Sequence, residues 1–185
     1  MATKRTFWDV VDSRVSCREF SQEKVTAEEV SSILHAAQRS PSAGNLQARR
    51  IFIVEDKEIL KKLANAAYDQ QWIATAPIVF VFCAEYERSS WKYGKRGERL
   101  YCIQDATIAC SYAQLACEAI EGLGSCWVGA FDEGLVASIL GAEQPRFRPV
   151  SLLVVGKPAT QSKRKRSKRL ALAELVKVGK IRVHR

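Results

Sequence analysis

Histidine is nearly missing from this 185-residue chain: only His35 and His184 occur. A Ser/His/Asp or Cys/His catalytic arrangement is therefore not expected, since both need a histidine base. The six cysteines (Cys17, Cys83, Cys102, Cys110, Cys117 and Cys126) contain no C-x-x-C pair, and neither histidine stands near one of them. Zinc and cluster spacings are thus missing, and no metal site is expected. The cysteines read as small buried apolar residues in a reduced compartment. No run of 18 apolar residues occurs, and the opening MATKRTFWDV returns to charge before a signal-peptide core forms. The expectation is a cytoplasmic protein with no membrane contact. There is no internal repeat and no low-complexity linker. A 47% hydrophobic and 26% charged composition supports a real core, organised as one domain over residues 1–185.

Charge is not balanced. The formal net charge is +9, and KRKRSKR at 163–169 carries six basic residues in seven. One reading is a nucleic-acid surface built from this run, Arg49-Arg50 and KYGKR at 92–96. Its affinity would fall steeply with salt. The run lies between a predicted core strand and an amphipathic segment, however, so it is no free tail. A folded loop of that charge density calls for an anion, and a phosphate-bearing ligand fits it equally.

The periodicities predict mixed elements. Thr26 and Glu29 form a capping box, and Val30, Ile33, Leu34 and Ala37 follow at helical spacing as far as Ser40-Pro41. Residues 51–55 read as a strand, and Asp56 caps a helix with Leu60, Leu63, Ala64 and Ala67 inward. PIVFVFCAE, 77–85, reads as a strand buried on both faces. Residues 86–101 read as a long loop or a broken helix. A small-residue helix over 103–121, a short strand SCWVGA, a helix capped by Asp132 and a strand over 149–158 complete the pattern. LALAELVKV closes it as an amphipathic piece. The strands are few and do not alternate as βαβ, which points to an α+β domain with a small mixed or antiparallel sheet packed with helices.

Three stretches invite a functional reading. In SRVSCREF, Arg14, Ser16 and Arg18 alternate, so an extended backbone would aim them one way. Two guanidiniums beside a hydroxyl suit an anion. PSAGNLQARR, 41–50, packs polar and small residues between a helix and a strand where a few residues would do. GLGSCWVG, 122–129, follows a helix and spaces its glycines G-x-G-x-x-x-x-G, so it is not a dinucleotide fingerprint. Gly129 and Ala130 leave the backbone bare to a flat ligand. With no acid–base constellation, any chemistry is expected to rest on a cofactor.

R-x-S-x-R-x-F (Arg14, Ser16, Arg18, Phe20), P-S-x-x-N-x-Q (Pro41, Ser42, Asn45, Gln47), the run from Gly122 to Asp132, and V-V-G-x-P followed by a basic stretch and E-L-V (Val154 to Val176) occur in that order. Together they resemble the nitroreductase family of FMN-dependent oxidoreductases. The resemblance implies a nitroreductase-like homodimer with FMN at the subunit interface and NADH or NADPH as electron donor. It implies a ping-pong reduction of nitroaromatics, quinones or similar small acceptors. Arg14 and Ser16 would hold the phosphate or ribityl end, with Arg169 and Lys168 or Arg166 closing on the phosphate. Pro41, Ser42, Asn45 and Gln47 would form a flavin wall, commonly supplied by the partner. The backbone at Gly129 and Ala130 would approach flavin N5. Arg18 would sit at the pyrimidine edge, where about 4 Å at an effective dielectric near 20 gives on the order of 4 kcal/mol, or on the order of 90 mV for a two-electron couple. Trp91, Tyr93 and Tyr101, from their loop position, would form a lid over the open face. Related scaffolds also carry dehalogenation, dehydrogenation and flavin fragmentation, so these stay open as alternatives, as does a basic nucleic-acid-binding protein without flavin.

Overall fold

A computed structural model describes residues 5–142, 146–160 and 166–179. In chain order the elements are α1 (Phe7–Ser13), α2 (Ala27–Arg39), β1 (Arg49–Val54), α3 (Lys57–Ala66), β2 (Ile78–Glu85), α4 (Tyr86–Arg96), α5 (Cys102–Ala119), β3 (Gly124–Val128), α6 (Glu133–Ile139), β4 (Phe147–Gly156) and α7 (Leu172–Leu175). The predicted caps are present. Thr26 accepts from Glu29 N while the Glu29 carboxylate accepts from Thr26 N at 2.7 Å. Asp56 accepts from the amides of Glu58 and Ile59, and Asp132 from that of Leu135. Each such cap satisfies amides that a helix start leaves open, worth about 1 kcal/mol.

The sheet has the order β1-β2-β4-β3 and is antiparallel throughout. All eight residues of β2 are buried, as its unbroken apolar sequence requires. Alternate side chains feed two cores. Val79, Val81 and Cys83 pack with Leu60, Leu63, Ile73 and Val136 from the α3 and α6 side. Ile78, Phe80 and Phe82 pack with Ile33, Ala37, Ala109, Cys110 and Cys117 from α2 and α5. The sheet is therefore sandwiched between helix pairs. Burying each such Phe or Leu contributes about 1.5–3 kcal/mol. The β2–β4 register slips between Phe82 and Cys83, where Pro149 faces Cys83. A proline has no amide for the ladder, so a bulge is where an interior strand tolerates it. At the end of β4, a Cβ on Gly156 would stand 2.6 Å from Pro77 Cδ and 2.9 Å from Phe20 Cδ1, so the close approach needs glycine.

Residues 86–101 follow the broken-helix alternative. α4 breaks at Gly94 (φ 53°, ψ −141°), and a wide π-type turn over Gly97–Tyr101 leads into α5. The amphipathic piece after residue 169 makes a single turn, α7, and Leu170, Leu172, Leu175, Val176 and Val178 are all exposed on it.

The cysteines are all buried and unbridged. Burial raises the thiols of Cys83 and Cys110 from 9.0 to about 12 and pushes Cys117 higher still. At pH 8 a thiol of that kind is thiolate on the order of one part in ten thousand. A disulfide reagent at pH 8 should therefore leave these three unmodified in the folded protein and titrate all six cysteines after unfolding. Fast labelling of Cys83, Cys110 or Cys117 in the native protein would contradict this packing. Below 9.0 both states keep the proton, whereas between 9.0 and about 12 only the unfolded chain ionises. Stability should fall as pH rises through that window.

Candidate active site

The segment after α1 is extended and stitched to the edge of the sheet. Ser16 bridges Ser125 in parallel, and Cys17 N donates to Ser125 O at 2.9 Å. Phe20 bridges Pro158, Ser21 N donates to Lys157 O at 2.8 Å and Ala159 N to Glu19 O at 3.0 Å. Val15, Cys17 and Phe20 point into the protein. The intervening Arg14, Ser16 and Arg18 face outward together, as their spacing predicts. α1 is anchored to α5, because Glu118 pairs with Arg5 at 3.4 Å and accepts from Ser13 Oγ at 2.8 Å. That anchor fixes where Arg14, the C-cap residue of α1, begins.

These side chains line a cavity of about 830 Å³, inside the range of about 300–1,000 Å³ usual for small-molecule sites. Arg14, Ser16 and Arg18 line it together with Arg166, Ser167 and Arg169. Val11 and Leu115 supply apolar surface, and Asp12 and Glu19 supply carboxylates. Four guanidiniums against two carboxylates leave two positive charges, the complement of a phosphate dianion. The guanidinium of Arg18 also lies 5.7 Å from the centre of the Trp72 ring, a cation–π contact that restrains it. Lys168 is exposed and does not line the cavity.

The 41–47 loop lies elsewhere on the same chain. Its backbone is left-handed at Gly44 (φ 56°), Asn45 (φ 57°) and Gln47 (φ 54°). Such a shape is costly for residues with a Cβ and has to be held from outside. Asp105 on α5, 1% exposed, holds it: its two carboxylate oxygens accept from Ala43 N and Ala48 N, each at 3.0 Å. Ser42 Oγ accepts from Gln47 N at 3.0 Å. Arg49 is buried and donates through Nη2 to the carbonyls of Ala37, Gln38 and Ser40 at the end of α2. Most of Arg49 is thus withdrawn from solvent, and what remains lines a small hollow with Arg50 and Arg88. Pro41, Asn45 and Gln47 are exposed and Ser42 is half-buried; none of the four lines the arginine cavity.

The aromatic residues of 86–101 gather beside this loop. Trp91 is 79% exposed and lines a groove of about 550 Å³ with Asn45, Leu46, Gln47 and Arg88. Tyr93 and Tyr101 stack edge to face at 5.1 Å, and a side chain at Gly44 would strike the Tyr93 hydroxyl. Gly129 and Ala130 are exposed past the end of β3; a Cβ on Gly129 would meet only Trp127 Nε1, at 3.7 Å. The bare backbone is therefore confined to Gly129 and Ala130.

Sequence reasoning missed Asp105, Trp72 and the structural use of Arg49. A lone carboxylate inside the small-residue helix IQDATIACSYAQLAC was the available signal for Asp105. Trp72 carried none, because its meeting with Arg18 is purely tertiary. Among the described residues, no group of three or more His, Cys, Asp or Glu could hold a metal, and no helix is long and apolar enough to cross a membrane. Residues 163–165 of the basic run lie outside the described residues.

Comparison with known proteins bears on this geometry. The chain is 33% identical over 162 residues to the FMN reductase [NAD(P)H] of Bacillus subtilis, covering 81% of this chain and 65% of that one. It therefore spans just under two thirds of that relative's length. It is 30% identical over 175 residues to the NADH dehydrogenase of Thermus thermophilus, covering 80% and 84%. Among solved structures, Bacillus megaterium NfrA2 superposes with a TM-score of 0.82 at 30% identity, over 92% of this chain and 73% of that one. The NADPH:FMN oxidoreductase of Vibrio harveyi shares the fold at a TM-score of 0.84 and 23% identity, over 97% and 79%. The family model described as Nitroreductase family matches residues 11–74 and 66–157. An antiparallel sheet between helix pairs, an arginine-walled cavity beside it and these matches together place the chain in the nitroreductase family.

Proposed function

We propose that this chain is an FMN-dependent NAD(P)H oxidoreductase that works as a homodimer. The observation that carries the reading is the cavity lined by Arg14, Ser16 and Arg18 together with Arg166, Ser167 and Arg169. Its two surplus positive charges and its hydroxyls suit the phosphate and ribityl end of FMN, which has no adenine and needs cations more than a glycine-rich turn. Arg18, restrained by Trp72, would stand nearer the ring end. Bound FMN would supply the two-electron chemistry that this chain's own residues lack: NAD(P)H + H⁺ + acceptor gives NAD(P)⁺ + reduced acceptor.

What the chain itself does is bind, orient and shield. The arginines hold the phosphate. The exposed backbone at Gly129 and Ala130 lets a flat ring approach closely. Pro41, Ser42, Asn45 and Gln47 would wall the ring of the partner subunit's flavin. Two features support that sharing: the loop does not reach its own chain's arginine cavity, and apolar residues such as Phe7, Trp8, Leu172 and Leu175 stand uncovered on this chain. Donor and acceptor would use one open face in turn, a ping-pong order, beneath Trp91, Tyr93 and Tyr101. Nitroaromatics and quinones are the acceptors such a face would take.

An absorption spectrum after incubation with FMN and desalting tests this reading. Retained yellow flavin that bleaches anaerobically with NADH or NADPH is expected. Retained flavin that neither nucleotide bleaches would remove the NAD(P)H assignment, and no retained flavin would remove the whole reading.

A further inference from the structure

The groove beside the 41–47 loop carries charge that the flavin reading does not use. Glu85, at the end of β2, is nearly buried, and three arginines surround it: Arg50 at 3.5 Å, Arg88 at 3.6 Å and Arg146 at 3.8 Å. These are loose ion pairs. Glu85 Oε2 makes no hydrogen bond, and the three guanidiniums remain about half exposed, at 47%, 53% and 54%. Beneath them Arg49 is 9% exposed, and its Nη1 has no partner. Burial disfavours the charge of Arg49, Asp105 supports it, and Arg88 adds a smaller repulsion. Glu85 thus faces three guanidiniums, those of Arg50, Arg88 and Arg146, and most of their donors are unspent.

The position matters as much as the charge. Arg88 and Gln47 line both the groove that holds Trp91 and a smaller hollow of about 310 Å³ that holds Arg49 and Arg50. Asn45 and Gln47 belong to the loop read above as the flavin wall. Trp91 offers an open indole face, and a planar ring stacks well on such a face. A guanidinium fork matches a carboxylate in two parallel hydrogen bonds. Glu87, exposed on the same rim, is the opposing charge, and Glu85 is already shared among three cations.

We propose that this groove selects electron acceptors that are planar aromatic carboxylates, with Arg50 and Arg88 as the specificity-determining residues. The proposal rests on the reading of the 41–47 loop as a flavin wall. The acceptor's ring lies against Trp91 and its carboxylate meets the two arginines, which turns its reducible end toward the wall.

The test compares 4-nitrobenzoate with 4-nitrobenzamide, a neutral acceptor of nearly the same shape, on the FMN-loaded protein. The ratio of their kcat/KM values should favour the carboxylate. It should fall about tenfold in the Arg50→Gln/Arg88→Gln double variant. Calorimetric binding of 4-nitrobenzoate to the oxidised holoprotein should weaken in parallel. In the native protein, added salt should lower the ratio, which keeps the proposal testable should the double variant not fold. A native ratio at or below one, or a ratio unmoved by both salt and substitution while flavin is retained, would overturn the selectivity alone. Failure of the native protein to retain flavin would overturn the flavin reading and the selectivity with it.

Discussion

Replacing Asp105 with alanine is expected to cost about 3–5 kcal/mol of stability. The carboxylate is 1% exposed and satisfies the amides of Ala43 and Ala48 at once. Removing it leaves two donors without partners where Ala48 is fully buried. It also removes the negative charge that helps keep buried Arg49 ionised. The loop between those amides contains three residues at positive φ, so it has no reason to keep its shape once its ends are released. Urea unfolding would measure the loss. Asp105→Asn is expected to recover only part of it, because its amide has one acceptor oxygen where each of two amides needs one. A cost below about 1 kcal/mol for Asp105→Ala would mean that water replaces the carboxylate and that the clamp is unimportant.

The second large effect concerns the arginine cavity. The Arg14→Ala/Arg169→Ala double variant is expected to weaken FMN binding about a hundredfold. A charge-assisted hydrogen bond contributes about 1.5–3 kcal/mol; partial exposure of both side chains reduces that to about 1–2 kcal/mol each. Quenching of flavin fluorescence would give the affinity. Riboflavin, which lacks the phosphate, provides the control: its weaker binding should change little, so the difference between the ligands isolates the phosphate contact. Equal losses for FMN and riboflavin would show that the arginines shape the cavity rather than hold an anion. Unchanged binding of both would move the phosphate elsewhere.

Much of this architecture was legible because it is dictated locally. The Thr26–Glu29, Asp56 and Asp132 caps mark helix starts within a few residues, and the unbroken apolar run of β2 announces burial on both faces. The alternation of Arg14, Ser16 and Arg18 was equally readable, since an extended chain has a period of two. What could not be read was where separate segments meet. Nothing local brings Arg166 and Arg169 to Arg14, or Asp105 to Ala43 and Ala48. Such contacts are made by the packing of α5 and the sheet, not by spacing. Arg49 misled for the same reason: a basic pair looks solvated until the end of α2 is seen to take up its Nη2 donors. The segment 86–101 was ambiguous because Gly94 breaks a helix that the residues around it can form.

The two walls of the arginine cavity come from segments near positions 14 and 169, with the whole sandwich folded between them. An anion gripped by both walls is a removable fastening across nearly the full contour of the chain. Residues 166–179 are all exposed, so this outer wall has little packing of its own to hold it in place. Ligand at a hundred times its dissociation constant adds about 2.7 kcal/mol to the folded state. If the proposed grip holds, FMN should slow proteolysis within the exposed 166–179 segment.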